Sequence, residues 1–326
     1  MTIAAQKARL HGLLGNLATL PANEAVALLG AASLPDAQFL VAHPVNTCVG
    51  AAEFVERFLV PLQNALTPLM RRNDIVMSGT SRTGSGDWVA FLGHYVGNFT
   101  APLFSIRPHD HLAFVRFGEF YRFEGDRIAE ARLLVDFLDL ARQAGQMKLP
   151  PVHGTEMLFP APATHDGVML GAGDPLRGDA SAALVEAMLG DLRVFTPGSF
   201  ESAGQTGAGG YWHEQMLWYG PAGIGSNYTY PGFQKDHRIP FLTGFPDRIG
   251  GHHYARFGDG DYVCSGGWPS IHGTHGGDYL GVNATGRKIT QRVMDFWRCA
   301  DGRIMENWVF IDIPDLLLQI GFQALP

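Results

Sequence analysis

The segment from Arg116 to Gly145 returns, without a gap, as the segment from Arg292 to Gly321. A constant offset of 176 positions pairs Arg116 with Arg292, Phe120 with Phe296, Arg122 with Arg298, Glu130 with Glu306, Asp136 with Asp312 and Gly145 with Gly321. Two weaker echoes lie upstream in the same order. Gly84 to Val89 recurs as Gly258 to Val263, and Phe54 with Val60-Pro61-Leu62 recurs as Phe233 with Ile239-Pro240-Phe241. Offsets of 174 and 179 are what small loop insertions produce. The chain is therefore read as two copies of one domain.

Each copy repeats one local grammar. In residues 51–70 Phe54, Phe58, Leu62, Leu66 and Leu69 fall at helical spacing, with a bend expected at Pro61. Alternating segments separated by Gly-Asp turns follow and read as hairpins. Two further strands and a short helix (FLDLARQ, IPDLLLQ) close each copy. Helices ahead of an antiparallel sheet predict an α+β fold. Residues 146–180, rich in Pro and Gly, read as a strap without much regular structure, lying over the junction of the copies. The expected division is a helical extension at 1–34, a first domain at 35–148, a linker at 149–180 and a second domain at 181–326. Monomer and homodimer both fit, because tandem copies can supply their own pairing surface.

Composition removes several classes of function. With 46% hydrophobic and 17% charged residues, the chain can bury a core. A net charge of −7 lacks the broad basic field that nucleic acid or anionic membranes demand. No apolar run reaches the roughly 18 residues of a membrane helix, and the N-terminus lacks a signal-peptide core. Cys48, Cys264 and Cys299 form neither a disulfide framework nor a zinc knuckle. The expectation is a soluble, cytoplasmic protein.

The stretch from Gly273 to Gly321, with its Gly-Thr-His, Thr-Gly-Arg, Asp-Gly-Arg-Ile-x-Glu-x-Trp and Gln-x-Gly elements, resembles the SnoaL-like polyketide cyclases of the nuclear-transport-factor-2-like superfamily. Asn283 stands where that family often has Pro, and the first copy lacks the Thr-Gly-Arg turn. The resemblance implies two tandem cones, each a curved antiparallel sheet wrapped against helices with a ligand pocket at its open end. It also implies cofactor-free acid/base chemistry: an aldol cyclisation, or related lyase or isomerase chemistry, on a small apolar carbonyl compound of aromatic or polyketide-like type. The position matching the family's aspartate is Asp312, with Asp136 its counterpart.

Two readings of Asp312 stand side by side. It can cap the last helix, with Asp315 three residues on. By parity it also ends a strand face carrying Trp308 and Phe310, where desolvation would raise its pKa towards that of a general base. Asp295 shares a face with Trp297 and is a candidate second pocket carboxylate. Six of 13 histidines fall between 201 and 280, which points to a principal pocket in the second copy. His275 is the candidate oxyanion donor, and Trp212, His213, His253, Tyr254, Trp268 and Trp308 are the candidate substrate-binding residues. His94 reads as lying near the first-copy position of His275. No metal ligand set and no cofactor are expected. A non-catalytic binder would use the same aromatic pocket, and a metal enzyme using His272 and His275 is a third reading.

Overall fold

A computed structural model describes every residue except Pro197. In the first unit α1 (Ile3–Leu17) and α2 (Ala22–Ala32) precede β1 (Ser33–Val41) and β2 (Thr47–Val49). One helix follows, made of α3 (Gly50–Phe54), a π turn (Val55–Leu59) and α4 (Val60–Ala65). Then come β3 (Leu66–Thr80), β4 (Asp87–Phe99), β5 (Leu112–Glu124), β6 (Arg127–Val135) and α5 (Phe137–Gln143). The second unit follows the same order, with one leading helix instead of two and two short strands in the place of β3. It has α6 (Pro175–Leu192), β7 (Trp212–Tyr219), β8 (Asn227–Tyr228), α7 (Thr229–Phe233), a π turn (Gln234–Arg238) and α8 (Ile239–Gly244). It finishes with β9 (Ile249–Gly250), β10 (His253–Asp259), β11 (Tyr262–Thr274), β12 (Lys288–Ala300), β13 (Arg303–Ile311) and α9 (Ile313–Gln319). No helix among the described residues is long and apolar enough to cross a membrane.

The sheets run β2-β1-β6-β5-β4-β3 and β8-β7-β13-β12-β11-β10, with β9 beside β11. In both, one parallel pair (β1 with β6, β7 with β13) interrupts antiparallel neighbours. The architecture is α+β with two similar sheet-and-helix units. Neither sheet closes on itself among the described residues, so the expected cone is an open sheet backed by helices.

Proline explains the shape of the long helix in both units. Pro61 and Pro240 have no N–H to give, and each ring crowds the carbonyl four residues back, so the turn before it widens to a π turn. The helix predicted over 51–70 ends at Ala65, because Pro68 disfavours helical backbone at Thr67 and the chain extends into β3. The linker predicted to lack structure as far as 180 turns helical at Pro175. There the Asp174 carboxylate accepts from the Leu176 and Arg177 backbone N–H groups, and Pro175 begins α6. α1 packs on β3 and β4 as α6 packs on β10 and β11.

The units meet through the even-numbered faces of β5 and β12. Phe120 and Phe296, counterparts in the repeat, lie ring to ring at 5.6 Å. Gly118 allows this approach, since a Cβ there would stand 2.9 Å from the Phe310 ring. Two carboxylates cross the junction reciprocally: Asp136 accepts from the Ala222 backbone N–H at 2.9 Å and Asp312 from that of His43 at 3.0 Å. The strap touches both units, with Trp308 Nε1 donating to the Pro160 carbonyl and the Val76 N–H to that of Gly167. On α1, Lys7 is fully buried and its ammonium lies 2.7 Å from Asp259 of β10. Removing one partner of such a pair strands the other charge. Lys7→Met should therefore lower the unfolding free energy by about 3–5 kcal/mol, read from urea denaturation.

Candidate functional site

Alternation along β12 puts Gln291, Val293, Asp295 and Trp297 on the face away from the junction. Asn307, Val309 and Ile311 of β13 join them, and α6 with the α7–α8 helix covers the other side. A cavity of about 220 Å³ remains between sheet and helices, with Trp212, Trp218, Phe233 and His237 among its walls. The aromatic lining follows from the fold: odd residues of β12 and β13 face inward, and the π turn aims His237 at them.

Asp295 is the acidic group of this cavity. Burial raises its carboxyl to about 7 from an ordinary value near 3.8. The Asn307 side-chain N–H, 3.4 Å from Oδ1, and the charge of Arg256 oppose that shift without cancelling it. Three further polar atoms on the cavity walls are buried with no hydrogen-bond partner: Gln291 Nε2, Trp297 Nε1 and His237 Nδ1. A buried polar group left without a partner costs on the order of 1–3 kcal/mol, and such groups are few in a native structure. His237 is held neutral, pushed down to about 3 by burial and by Arg238, and its ring stacks 4.3 Å from Trp218.

The first unit has the same frame without the space. Glu119, the counterpart of Asp295, takes both guanidinium nitrogens of Arg71 at 2.9 Å and the hydroxyls of Tyr95 and Tyr121 at 2.6 and 2.8 Å. The register that opposes Arg71 to Tyr95 opposes Gly250 to Ile271, so the second unit has no side chain where Arg71 stands. Phe117 gives way to Val293 and Phe58 to His237. Loss of an arginine side chain and of ring volume opens the cavity.

The structure separates the residues that the sequence grouped together. Asp295 and Trp212 line the cavity, whereas Asp312 lies on the other face of the sheet. There Asp312 caps α9 through the Asp315 N–H, meets Arg292 at 3.0 Å and accepts from His43. Burial lifts it to about 6 against the pull of Arg292. His275 is buried in the β11–β12 loop, its Nδ1 accepting from the Thr285 N–H at 3.3 Å, and does not line the cavity. His253 stands one step behind the wall: Ser270, a lining residue, lies 3.2 Å from its Nε2. Burial pushes His253 down to about 4.

Tyr254 packs against Trp88 of the first unit, under the Arg132 guanidinium. Trp308 lies beneath the strap, Trp268 stacks on Arg292, and His213 takes the Gln215 N–H near the start of β7. Parity grouped Trp308 and Asp312 correctly, but their shared face is the junction between units. Among the described residues no three His, Cys, Asp or Glu side chains stand together to hold a metal ion, and His272 is exposed. His94 does not match His275. It opposes Arg116, and the residues around the matching Arg292 are the Trp268–Ser270 bulge. Sequence reasoning missed Gln291, Asn307 and His237. Their signal lay in the differences between the copies, where they replace Val115, Ala131 and Phe58.

The profile of the SnoaL-like polyketide cyclase family matches residues 241–320. No curated protein matches the chain. Among solved structures, a Jannaschia sp. CCS1 protein assigned as a SnoaL-like polyketide cyclase is 16% identical, with 46% of this chain and 97% of that one covered at a TM-score of 0.37. An NTF2-like protein of Burkholderia thailandensis E264 is 19% identical (45% and 99% covered, TM-score 0.33). One of unknown function from Burkholderia pseudomallei K96243 is 16% identical (44% and 97%, TM-score 0.31). The match to the SnoaL-like family is distant and partial, confined to the second of two similar sheet-and-helix units.

The raised carboxyl of Asp295 has a consequence for stability. A carboxyl whose pKa is higher in the folded state stabilises most below its unfolded value, near 3.8, and this stability is lost as pH rises through about 7. Asp295→Asn should therefore unfold at higher urea than the parent protein at pH 8, with the difference shrinking towards pH 4.

Proposed function

We propose that the second unit is a cofactor-free acid/base enzyme that moves a proton at the carbon beside a carbonyl in a small, largely apolar compound. This is the first half of an aldol cyclisation and of related lyase or isomerase reactions. We take the first unit to run from α1 to α5 and the second from α6 to α9, joined by the strap, with the first as scaffold. The observation that carries this reading is one carboxyl raised to about 7 in an aromatic cavity whose other polar atoms include unpartnered nitrogens.

A carbanion next to a carbonyl is costly in water, so the reaction needs a base and a partner for the enolate oxygen. Asp295 is the base. Near pH 7 a useful fraction is ionised, and a carboxylate with this pKa is a far stronger base than an exposed one. Asn307 holds Oδ1, leaving Oδ2 for the substrate proton. Gln291 Nε2 and Trp297 Nε1 are buried donors that no other protein group engages, so both can turn their hydrogen bonds to a developing oxyanion. Neutral His237 lines the wall without adding a charge that would ion-pair with Asp295. Trp212, Trp218 and Phe233 exclude water and favour a flat, apolar substrate. Asp312, with its cap and its arginine, is assigned to structure, and His275 to its loop.

The test uses a plain ketone. Wild-type protein in deuterated buffer should accelerate exchange at the α-carbon of 2-tetralone, followed by NMR, with a rate that rises to a plateau above about pH 7. Asp295→Asn should reduce that exchange by about 10²–10⁴-fold while leaving the circular dichroism unchanged. Asp312→Asn, which keeps the cap, should leave the exchange within about threefold of wild type. Equal exchange in wild type and Asp295→Asn would remove Asp295 as the base.

A further inference from the structure

We propose that the first unit, its interior filled, carries a second small-molecule site on its junction face, in the cleft between β4–β5 and the strap, and that this site takes a phenol. The cleft has a volume of about 400 Å³ and is lined by Arg72, His94, Phe114, Met157, Leu158 and Phe159, among others.

Its polar end is built around one buried carboxylate. The Asp74 side chain is 1% exposed; Oδ1 accepts from Arg72 Nε at 2.8 Å and Oδ2 lies 2.8 Å from His94 Nδ1. With Nδ1 committed to Asp74, the imidazole has only Nε2 to offer the cleft. A second-shell carboxylate that fixes one ring nitrogen of a histidine orients the other for a ligand. Arg72 is 59% exposed and commits only Nε, so the rest of its guanidinium is available at the same end. Arg116 is spent: it bonds Asp136, Asp139 and the Gly220 carbonyl, and lies over Phe159 as part of the wall.

The rest of the lining is mostly apolar, with His165 and an Asp139 carboxylate already engaged by Arg116 and Arg142 as its other polar groups. The Phe114 and Phe159 rings stand near-perpendicular to the imidazole, at 84° and 80°, with centroids 6.4 and 6.2 Å away. Met157 and Leu158 of the strap are 50% and 39% exposed. Large apolar side chains exposed together beside a fixed imidazole suit an aromatic body with one polar atom. A phenol meets the chemistry at both ends: its O–H donates to a neutral Nε2, its phenolate accepts from a protonated one, and Arg72 favours the phenolate. The second unit has no such site, because Trp268 of the bulge lies over Arg292, 4.8 Å from its guanidinium carbon, where the first unit has His94.

Calorimetric titration of the full chain with 2-naphthol and with 2-methoxynaphthalene, which has no donor, tests this. Wild type should bind 2-naphthol at least about tenfold more tightly than the ether, the worth of one hydrogen bond to a buried partner. His94→Phe should bring 2-naphthol down to the level of the ether while leaving 2-tetralone exchange unchanged. Leu158→Trp, which fills the cleft from the exposed strap without touching Asp74, should weaken both probes, and it decides the matter if His94→Phe does not fold. Equal affinity of the two probes for wild type, no binding of 2-naphthol, or undiminished binding in a folded variant would each overturn the assignment.

Discussion

Asp136 and Asp312 each hold two parts of the molecule with one carboxyl group. One oxygen caps the short helix that closes its own unit, and the other takes a backbone N–H from the loop after the first strand of the opposite unit. An arginine on the neighbouring strand, Arg116 or Arg292, balances the charge. A buried carboxylate is tolerable only when it is paired and hydrogen-bonded in this way. Because the contact is made in both directions, it fixes the position of one sheet against the other. The even-numbered faces of β5 and β12 are then committed to the junction, which leaves the odd-numbered faces free to line an interior.

What occupies those interiors is decided by a few side chains. Glu119 and Asp295 occupy equivalent places. A carboxylate that meets Arg71 and two tyrosine hydroxyls is satisfied and closed off; one that meets Asn307 of the adjacent strand and borders a cavity is neither. The backbone frame tolerates both because the two sheets are held to each other elsewhere, by the reciprocal carboxylates of the junction and by the strap. Filling one interior thus needs no change in strand order or in the junction.

Much of the frame was legible from the repeat alone. An offset of 176 maps β5, β6 and α5 onto β12, β13 and α9 residue for residue, and the turn and proline signals mark the hairpins and the bent helix. Parity placed Trp308, Phe310 and Asp312 on one face and Asp295 with Trp297 on the other. Which face borders a cavity was not legible, because an aromatic strand face looks the same whether it packs on a second sheet or encloses a cavity. The weight given to Asp312 came from that ambiguity. Histidine enrichment met the same limit: His253 and His275 are engaged by serines and a threonine at tertiary distances that local spacing does not encode.

The two units are joined by a strap that bonds to both, so their pairing is intramolecular. Association costs no translational freedom, and dilution cannot undo it. A further consequence concerns heredity. In a dimer of identical chains every substitution is made twice, and a residue that plugs one interior plugs both. A fused pair is released from that rule: Arg71 could arise in one half while Gly250 stayed in the other, and each half answers to selection on its own account.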